Sequence, residues 1–366
     1  MMNQISEHHI CYIKLWYLVQ HSIRSFNYLV QYFGSAEQAV LPKNLSKWAE
    51  LKLHKNHVKR ALVFYTPEEQ KKFEIILITL KRHCDFICCI EDDTYPQQLL
   101  PYEDKPPILF GEGNLVLLNK PQVAIVGSRK VSKQGAQISY EFACGLGQSD
   151  LVITSGLAEG VDAAAHYGAL SSTIAVMATG IDRTYPAHHV ELRQKIIQHQ
   201  GTIITEFLPF TAPLKAYFPR RNRIVSGLSL AVVVTEATVK SGSLGTAKCA
   251  AEQGKVICVV PSHICSEHNK GGHQLIREGA VLIDHPDQIL EEIALPVQWQ
   301  TQSHQPDIPL HLNEIYLALD WIGQEIEQIV QITAMPIHLI NAGLTELEIL
   351  GLCIQQQGRY LRFKTC

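Results

Sequence analysis

The chain has 366 residues, 46% of them hydrophobic, with a formal net charge of -3. That length holds two or three domains with buried cores, and the near-neutral charge by itself favours no partner class, because a basic pocket can be offset by acids elsewhere. No apolar run reaches the roughly 18 residues that a membrane helix needs, and MMNQISEHHI shows no secretory pattern, so a soluble cytoplasmic protein without a membrane partner is expected.

In chain order, residues 1–72 place apolar side chains at helical spacing. YLVQHSIRSFNYLVQYFGSAEQAV reads as two short helices broken near Gly34 and Ser35. From about residue 85 the texture changes to short apolar runs broken by Pro and Gly. From 122 to 293 apolar strands alternate with helix-length stretches: 123–126, 151–154, 173–177, 202–205, 230–234, 256–260 and 281–283. Continuous apolar strands separated by helices imply an α/β fold, a parallel sheet covered on both faces, with ligands beyond the carboxyl ends of the strands. PVQWQTQSHQPDIP, residues 296–309, reads as a linker. LNEIYLALDW and LTELEILGLC then read as helices and RYLRF as a strand, the order of a compact winged helix. The expected domains are therefore 1–72, 73–297 and 298–366.

Ten cysteines form no CxxC pair and often sit in apolar runs, which fits buried free thiols. His263, Cys265, His268 and His273 match no standard structural zinc spacing, so no metal site is expected.

The chemistry gathers after the strands. GSRKVSKQG, 127–135, is not the GxGxxG of dinucleotide binding; Gly127 permits a tight exit, Ser128 offers a hydroxyl and Arg129 a forked cation. In SGLAEGVDAAAH, 155–166, Gly156 and Gly160 allow close approach to backbone. Asp162 is placed to cap the next helix and to pair with His166, four residues on; capping is the commoner use of such a pair, catalysis the sharper one. In TEATVKSGSLGTAKCAAEQG, 235–254, Lys240, Ser241, Gly242, Ser243, Gly245 and Thr246 form an anion cradle at a helix start without the order of a P-loop. FPRRNRIVSG, 218–227, puts Arg220, Arg221 and Arg223 at the start of a helix headed by Pro219, where the dipole disfavours cations. An anion must face them, either Glu206 or a phosphate-bearing ligand. These segments together describe a basic pocket with no obvious nucleophile or base, suited to binding a polyanion rather than to catalysis.

Read together, VAIVGSR, SGLAEGVDAAAH, FPRRNRIVSGLS and SGSLGTA resemble the DprA/Smf family of DNA-processing proteins over about 90–290, and AGLTELEILGLCIQQQGRYLR resembles its C-terminal winged-helix module. The resemblance implies an N-terminal domain like a sterile alpha motif and an extended Rossmann-like core that binds single-stranded DNA. It also implies a homodimer and loading of RecA in natural transformation, with no cofactor. Carried onto this chain, the resemblance implies a basic groove of Arg129, Arg221, Asn222 and Arg223 with phosphate contacts from Gly156, Gly160, Ser241, Gly242 and Ser243; Gly127, Ser128, Ser155, Lys240 and Thr246, at the same strand ends and helix start, complete the expected DNA-binding set. The chain departs from the family pattern at Ser262, at Gly271-Gly272-His273-Gln274 and at Ala187. Tyr217, Phe218 and Phe210 are candidates for base stacking.

The alternative is a nucleotide-processing Rossmann enzyme related to phosphoribohydrolases, whose PGGxGTxxE motif GSLGTAKC partly resembles. Cys249 stands where that motif's glutamate acts. A duplex-reading C-terminal module is disfavoured, since residues 324–358 contain neither Lys nor Arg.

Overall fold

The computed structural model describes residues 5–293, 308–320, 323–356 and 358–362. The chain divides into two compact units, 1–297 and 298–366. The expected linker lies almost wholly outside the described residues.

The first unit opens with helices α1 (Glu7–Leu18), α2 (Ile23–Phe33), α3 (Ala36–Ala39), α4 (Pro42–Leu45), α5 (Lys55–Val63) and α6 (Pro67–His83). Ser6 caps α1 by accepting from the His9 N–H, and α2 stops at Gly34, whose φ of 89° few other residues adopt. Helix α6 carries Pro67 at its start, Glu68 and Glu69 in its first turn and Lys81, Arg82 and His83 in its last. Pro67 has the φ suited to a helix start, and the charged residues complement the helix dipole. The expected domain boundary at 72/73 falls inside this helix. Trp16, Phe26 and Leu80 share one apolar cluster with Ile87, Phe110 and Ile203 of the sheet, so the helical module and the sheet bury each other.

The sheet has nine strands in the order β1-β2-β6-β5-β4-β3-β7-β8-β9. These are β1 (Phe86–Cys89), β2 (Ile108–Gly113), β3 (Gln122–Val126), β4 (Val152–Ser155), β5 (Thr173–Val176), β6 (Thr202–Thr205), β7 (Ala231–Val234), β8 (Val256–Val259) and β9 (Val281–Leu282). Between and after them run α7 (Lys133–Gln148), α8 (Val161–Gly168), α9 (Val190–Gln198), α10 (Tyr217–Leu228), α11 (Ser243–Glu252), α12 (Lys270–Arg277) and α13 (Pro286–Glu292). The strands expected from 122 onward are present and parallel, each within a residue of its expected ends. The first two correct that expectation: β1 pairs antiparallel with β2, and β2 antiparallel with β6, so the sheet is mixed. Strand β1, FICC, is as long and as apolar as the central strands, whereas β2, ILFGEG, carries Gly111 and Gly113.

Strand β3 shows why the sheet needs two layers. Its Val123 and Ile125 enter the cluster on one face, while Ala124 and Val126 enter the cluster on the other. Burying a Val or Ile side chain contributes about 1.5–3 kcal/mol, and both faces are closed by helices.

The second unit contains α14 (Asn313–Ala318), α15 (Ile326–Thr333) and α16 (Ile337–Ile349), followed by the antiparallel hairpin β10 (Cys353–Gln356) and β11 (Arg359–Arg362). Leu312, Ile315, Ile329, Ile340, Leu344 and Leu347 form its core. Three helices and a hairpin are consistent with the expected winged-helix order. The helix expected over LTELEILGLC starts earlier, at Ile337, and stops at Ile349, before Cys353, because Gly351 takes a φ of 69° and turns the chain into β10. No helix among the described residues is long and apolar enough to cross a membrane.

Candidate nucleic-acid interface

Strand β3 has β4 on one side and β7 on the other, so the chain winds one way through β4–β6 and the other way through β7–β9. Loops leaving neighbouring strands diverge at such a reversal and leave a crevice. Here it is a cavity of about 490 Å³, lined by the loop after β3, the loop after β4, the loop after β7, and one face of α10.

Four expected segments therefore converge. Gly127, Ser128 and Arg129 come from the first loop, Gly156 from the second, Lys240, Ser241, Gly242, Ser243 and Thr246 from the third and the start of α11, and Arg221 and Asn222 from α10. Ser128 is fixed by its N–H, which donates to the Glu236 carbonyl at 2.7 Å. Arg129 and Lys240 are exposed, and Arg129 lies 5.3 Å from the centroid of the Phe218 ring. The Ser241 and Ser243 hydroxyls are 2.7 Å apart at the head of α11, where unpaired N–H groups and the helix dipole favour an anion. Asn222 reaches across from α10 to the Gly242 carbonyl at 3.4 Å.

The three arginines of α10 separate by face. Glu206, fully buried just after β6, accepts from Arg220 Nε at 3.0 Å and Nη2 at 2.7 Å, and from Arg223 Nη2 at 2.6 Å. Arg220 also lies over the rings of Trp16 and Phe207. The carboxylate thus accounts for two of the three cations, and the guanidinium of Arg223 faces it rather than the cavity. Arg221 lines the cavity: it is 5% exposed, its Nη1 donates to the Val176 carbonyl at 2.7 Å, and its Nε has no partner. The helix itself begins at Tyr217, two residues before the start expected at Pro219.

Beneath Arg221 lies Asp162, the one acid among the described lining residues. Its Oδ2 accepts from the Gly156 N–H at 3.0 Å and the Ala158 N–H at 3.4 Å. Burial pushes its carboxyl above the usual range, outweighing the Arg221 charge and those N–H groups. Burial likewise lowers Arg221, and neighbouring Arg129 lowers it further, against the pull of Asp162. The buried charges here do not fully compensate one another.

Two expected site residues, besides Arg223, sit behind the cavity wall. The Ser155 hydroxyl donates to the Ile125 carbonyl at 2.7 Å. Gly160, at φ 77°, packs its α-carbon where a Cβ would meet the Ser128 carbonyl at 2.2 Å. Both shape the loops. The expected Asp162–His166 pair does not form. His166 Nε2 accepts from the Leu157 N–H, so Nδ1 carries the proton and donates to Thr173 Oγ1 at 2.7 Å. Asp162 instead caps the backbone of the preceding loop.

Sequence reasoning missed Lys130, Thr238, Ala158 and His268, which also line the cavity. Lys130 was legible beside Arg129; His268 depends on how the segment after β8 folds back. Of the aromatic candidates Phe218 lines the cavity, whereas Tyr217 stacks on Phe207 at 4.4 Å. Two departures from the family pattern meet each other: His273 Nε2 lies 2.9 Å from the Ser262 carbonyl.

The chain is similar to several known proteins. A family model described as DNA recombination-mediator protein A matches residues 86–294. Protein Smf of Escherichia coli K12 is 35% identical over 309 residues, covering 81% of this chain and 82% of the relative. The solved structure of DNA processing protein A from Streptococcus pneumoniae superposes with a TM-score of 0.66 at 34% identity, over 79% of this chain and 98% of that one. A Helicobacter pylori structure, described by its single-stranded DNA binding mode, superposes with a TM-score of 0.53 at 30% identity, over 58% and 97%. The chain belongs to the DNA recombination-mediator protein A family, also called DprA/Smf.

Proposed function

We propose that this chain binds single-stranded DNA in the cavity beyond β3, β4 and β7 and acts as a recombination mediator that passes the strand to RecA during natural transformation. The observation that carries the reading is the convergence of Arg129, Lys240 and Arg221 with the head of α11, against a single buried acid. Cations and helix N-termini held on backbone bind phosphates without reading sequence. Phe218 adds a ring on which a base can stack. The Helicobacter pylori relative, whose described activity is single-stranded DNA binding, supports the same use here. Cytoplasmic action, a homodimer and RecA loading follow from the family resemblance and belong to this proposal.

Titration of labelled oligothymidine with the wild type and with Arg129→Ala tests it. The variant is expected to bind at least several-fold more weakly, and equal affinity would remove the cavity from the account. Release of single-strand-binding protein from coated DNA in the presence of RecA tests the mediator step. Robust hydrolysis of nucleoside monophosphates would instead favour the phosphoribohydrolase-like alternative, for which Cys249 offers a half-buried thiol of raised pKa in place of a carboxylate.

A further inference from the structure

Outside the cavity lining, where α1 meets the end of β1, three unlike metal-ligating side chains come together. The His9 imidazole, the Cys89 thiol and the Asp92 carboxylate each offer an atom within 4.8 Å of the other two. Cys89 and Asp92 are joined by a tight turn. The Asp92 N–H donates to the Cys89 carbonyl at 2.9 Å, and the Cys89 N–H donates to Asp92 Oδ2 at 2.6 Å. His9 Nε2 lies 2.9 Å from the same Oδ2. The C-x-x-D spacing of CIED, 89–92, is that of a two-ligand knuckle with a carboxylate as its second arm.

A fourth donor stands beside them with its own support. His8 Nε2 is 3.9 Å from Asp92 Oδ1, and its Nδ1 lies 2.7 Å from Glu37 Oε1. A carboxylate on the far nitrogen of an imidazole is the arrangement that fixes the ring of a metal-bound histidine. Cys89 is fully buried, while the side chains of His9 and Asp92 are about a fifth exposed, which leaves one open side for entry.

We propose that His9, Cys89 and Asp92, completed by His8, form a zinc site that staples the N-terminal helices to the first strand of the sheet. Nitrogen, sulfur and carboxylate oxygen together suit zinc rather than magnesium or calcium. Tetrahedral zinc holds its donors roughly 3.2–3.8 Å apart, so the widest pairs of His9, Cys89 and Asp92 close in by about 1–1.6 Å while His9 and Asp92, at 2.9 Å, open slightly. The thiol gives up its proton to solvent as the Zn–S bond forms, and nothing is oxidised or reduced.

The test uses the full chain, stripped by chelation and carrying Cys265→Ser to remove the exposed thiol near His263 and His268. Cobalt(II) is added, then zinc. The expected result is a single cobalt equivalent with a thiolate-to-cobalt charge-transfer band, displaced by zinc. The band is lost in Cys89→Ser and in Asp92→Asn, and affinity falls about 10- to 100-fold in Glu37→Gln, which holds His8 without touching the metal. No band in the parent protein overturns the proposal, as does a band that survives Cys89→Ser. Unchanged affinity in Glu37→Gln removes His8 from the ligand set.

Discussion

A Cβ on residue 156 would lie 1.9 Å from Arg221 Nη1, so the buried guanidinium and Gly156 occupy one space between them. The glycine is required for room at this position. Gly156→Ala is expected to push Arg221 out of its place and weaken single-stranded DNA binding by about tenfold or more, the scale of one charge-assisted contact of roughly 1.5–3 kcal/mol. Fluorescence anisotropy with oligothymidine measures it, and an unchanged dissociation constant would separate Arg221 from binding.

Arg223 differs from its neighbour in kind. With Glu206 fully buried and Arg223 Nη2 at 2.6 Å, Arg223→Ala leaves that carboxylate with Arg220 as its remaining cation. We expect a loss of about 3 kcal/mol of stability, read in urea denaturation, with a binding defect at low temperature smaller than that of Arg129→Ala. A fully stable Arg223→Ala that fails to bind DNA would place its guanidinium on the ligand instead.

Phe218→Ala is expected to weaken binding by about 1–3 kcal/mol while leaving the dependence on salt unaltered, since stacking releases no counterions. Isotherms at two salt concentrations check this. A change in slope equal to that of a lost cation would show that Phe218 acts by positioning Arg129.

Two histidines, His166 buried and His21 partly buried, contribute to the acid response. Burial, then the charges of Arg220 and Arg60, lower His21 to about 3; burial, then His189 and Arg221, lower His166 to about 3. Both pKa values lie below the unfolded value, so between about pH 6.5 and 3 the unfolded chain binds more protons and stability falls as pH falls, by up to about 1.4 kcal/mol per pH unit for each group. Denaturation midpoints across pH 7 to 5 should drop, and His166→Gln should make the drop shallower. A flat profile would contradict imidazoles held neutral in the folded chain.

The central strands were legible because each is a continuous apolar run between glycine-marked loops, and a sheet buried on both faces demands that pattern. Strands β1 and β2 were not: the Pro-rich segment between them and the glycines of β2 carry the signal of loops. At the site, the loop residues were legible from glycines, hydroxyls and cations at strand ends. The division of labour among Arg220, Arg221 and Arg223 was not, because it depends on Glu206 arriving from another strand. Charge at a helix start announced that an anion was needed, and only packing decided that Glu206 meets two of the three.

The most direct measurement of the central claim is the salt dependence of oligothymidine binding by the wild type and by Arg129→Ala/Lys240→Ala. If these cations meet phosphates, the plot of log affinity against log salt becomes shallower by about 0.7 for each contact removed, and affinity falls alike for every base sequence. An unchanged slope and affinity in the double variant would contradict a DNA-binding cavity at the β3–β7 crevice.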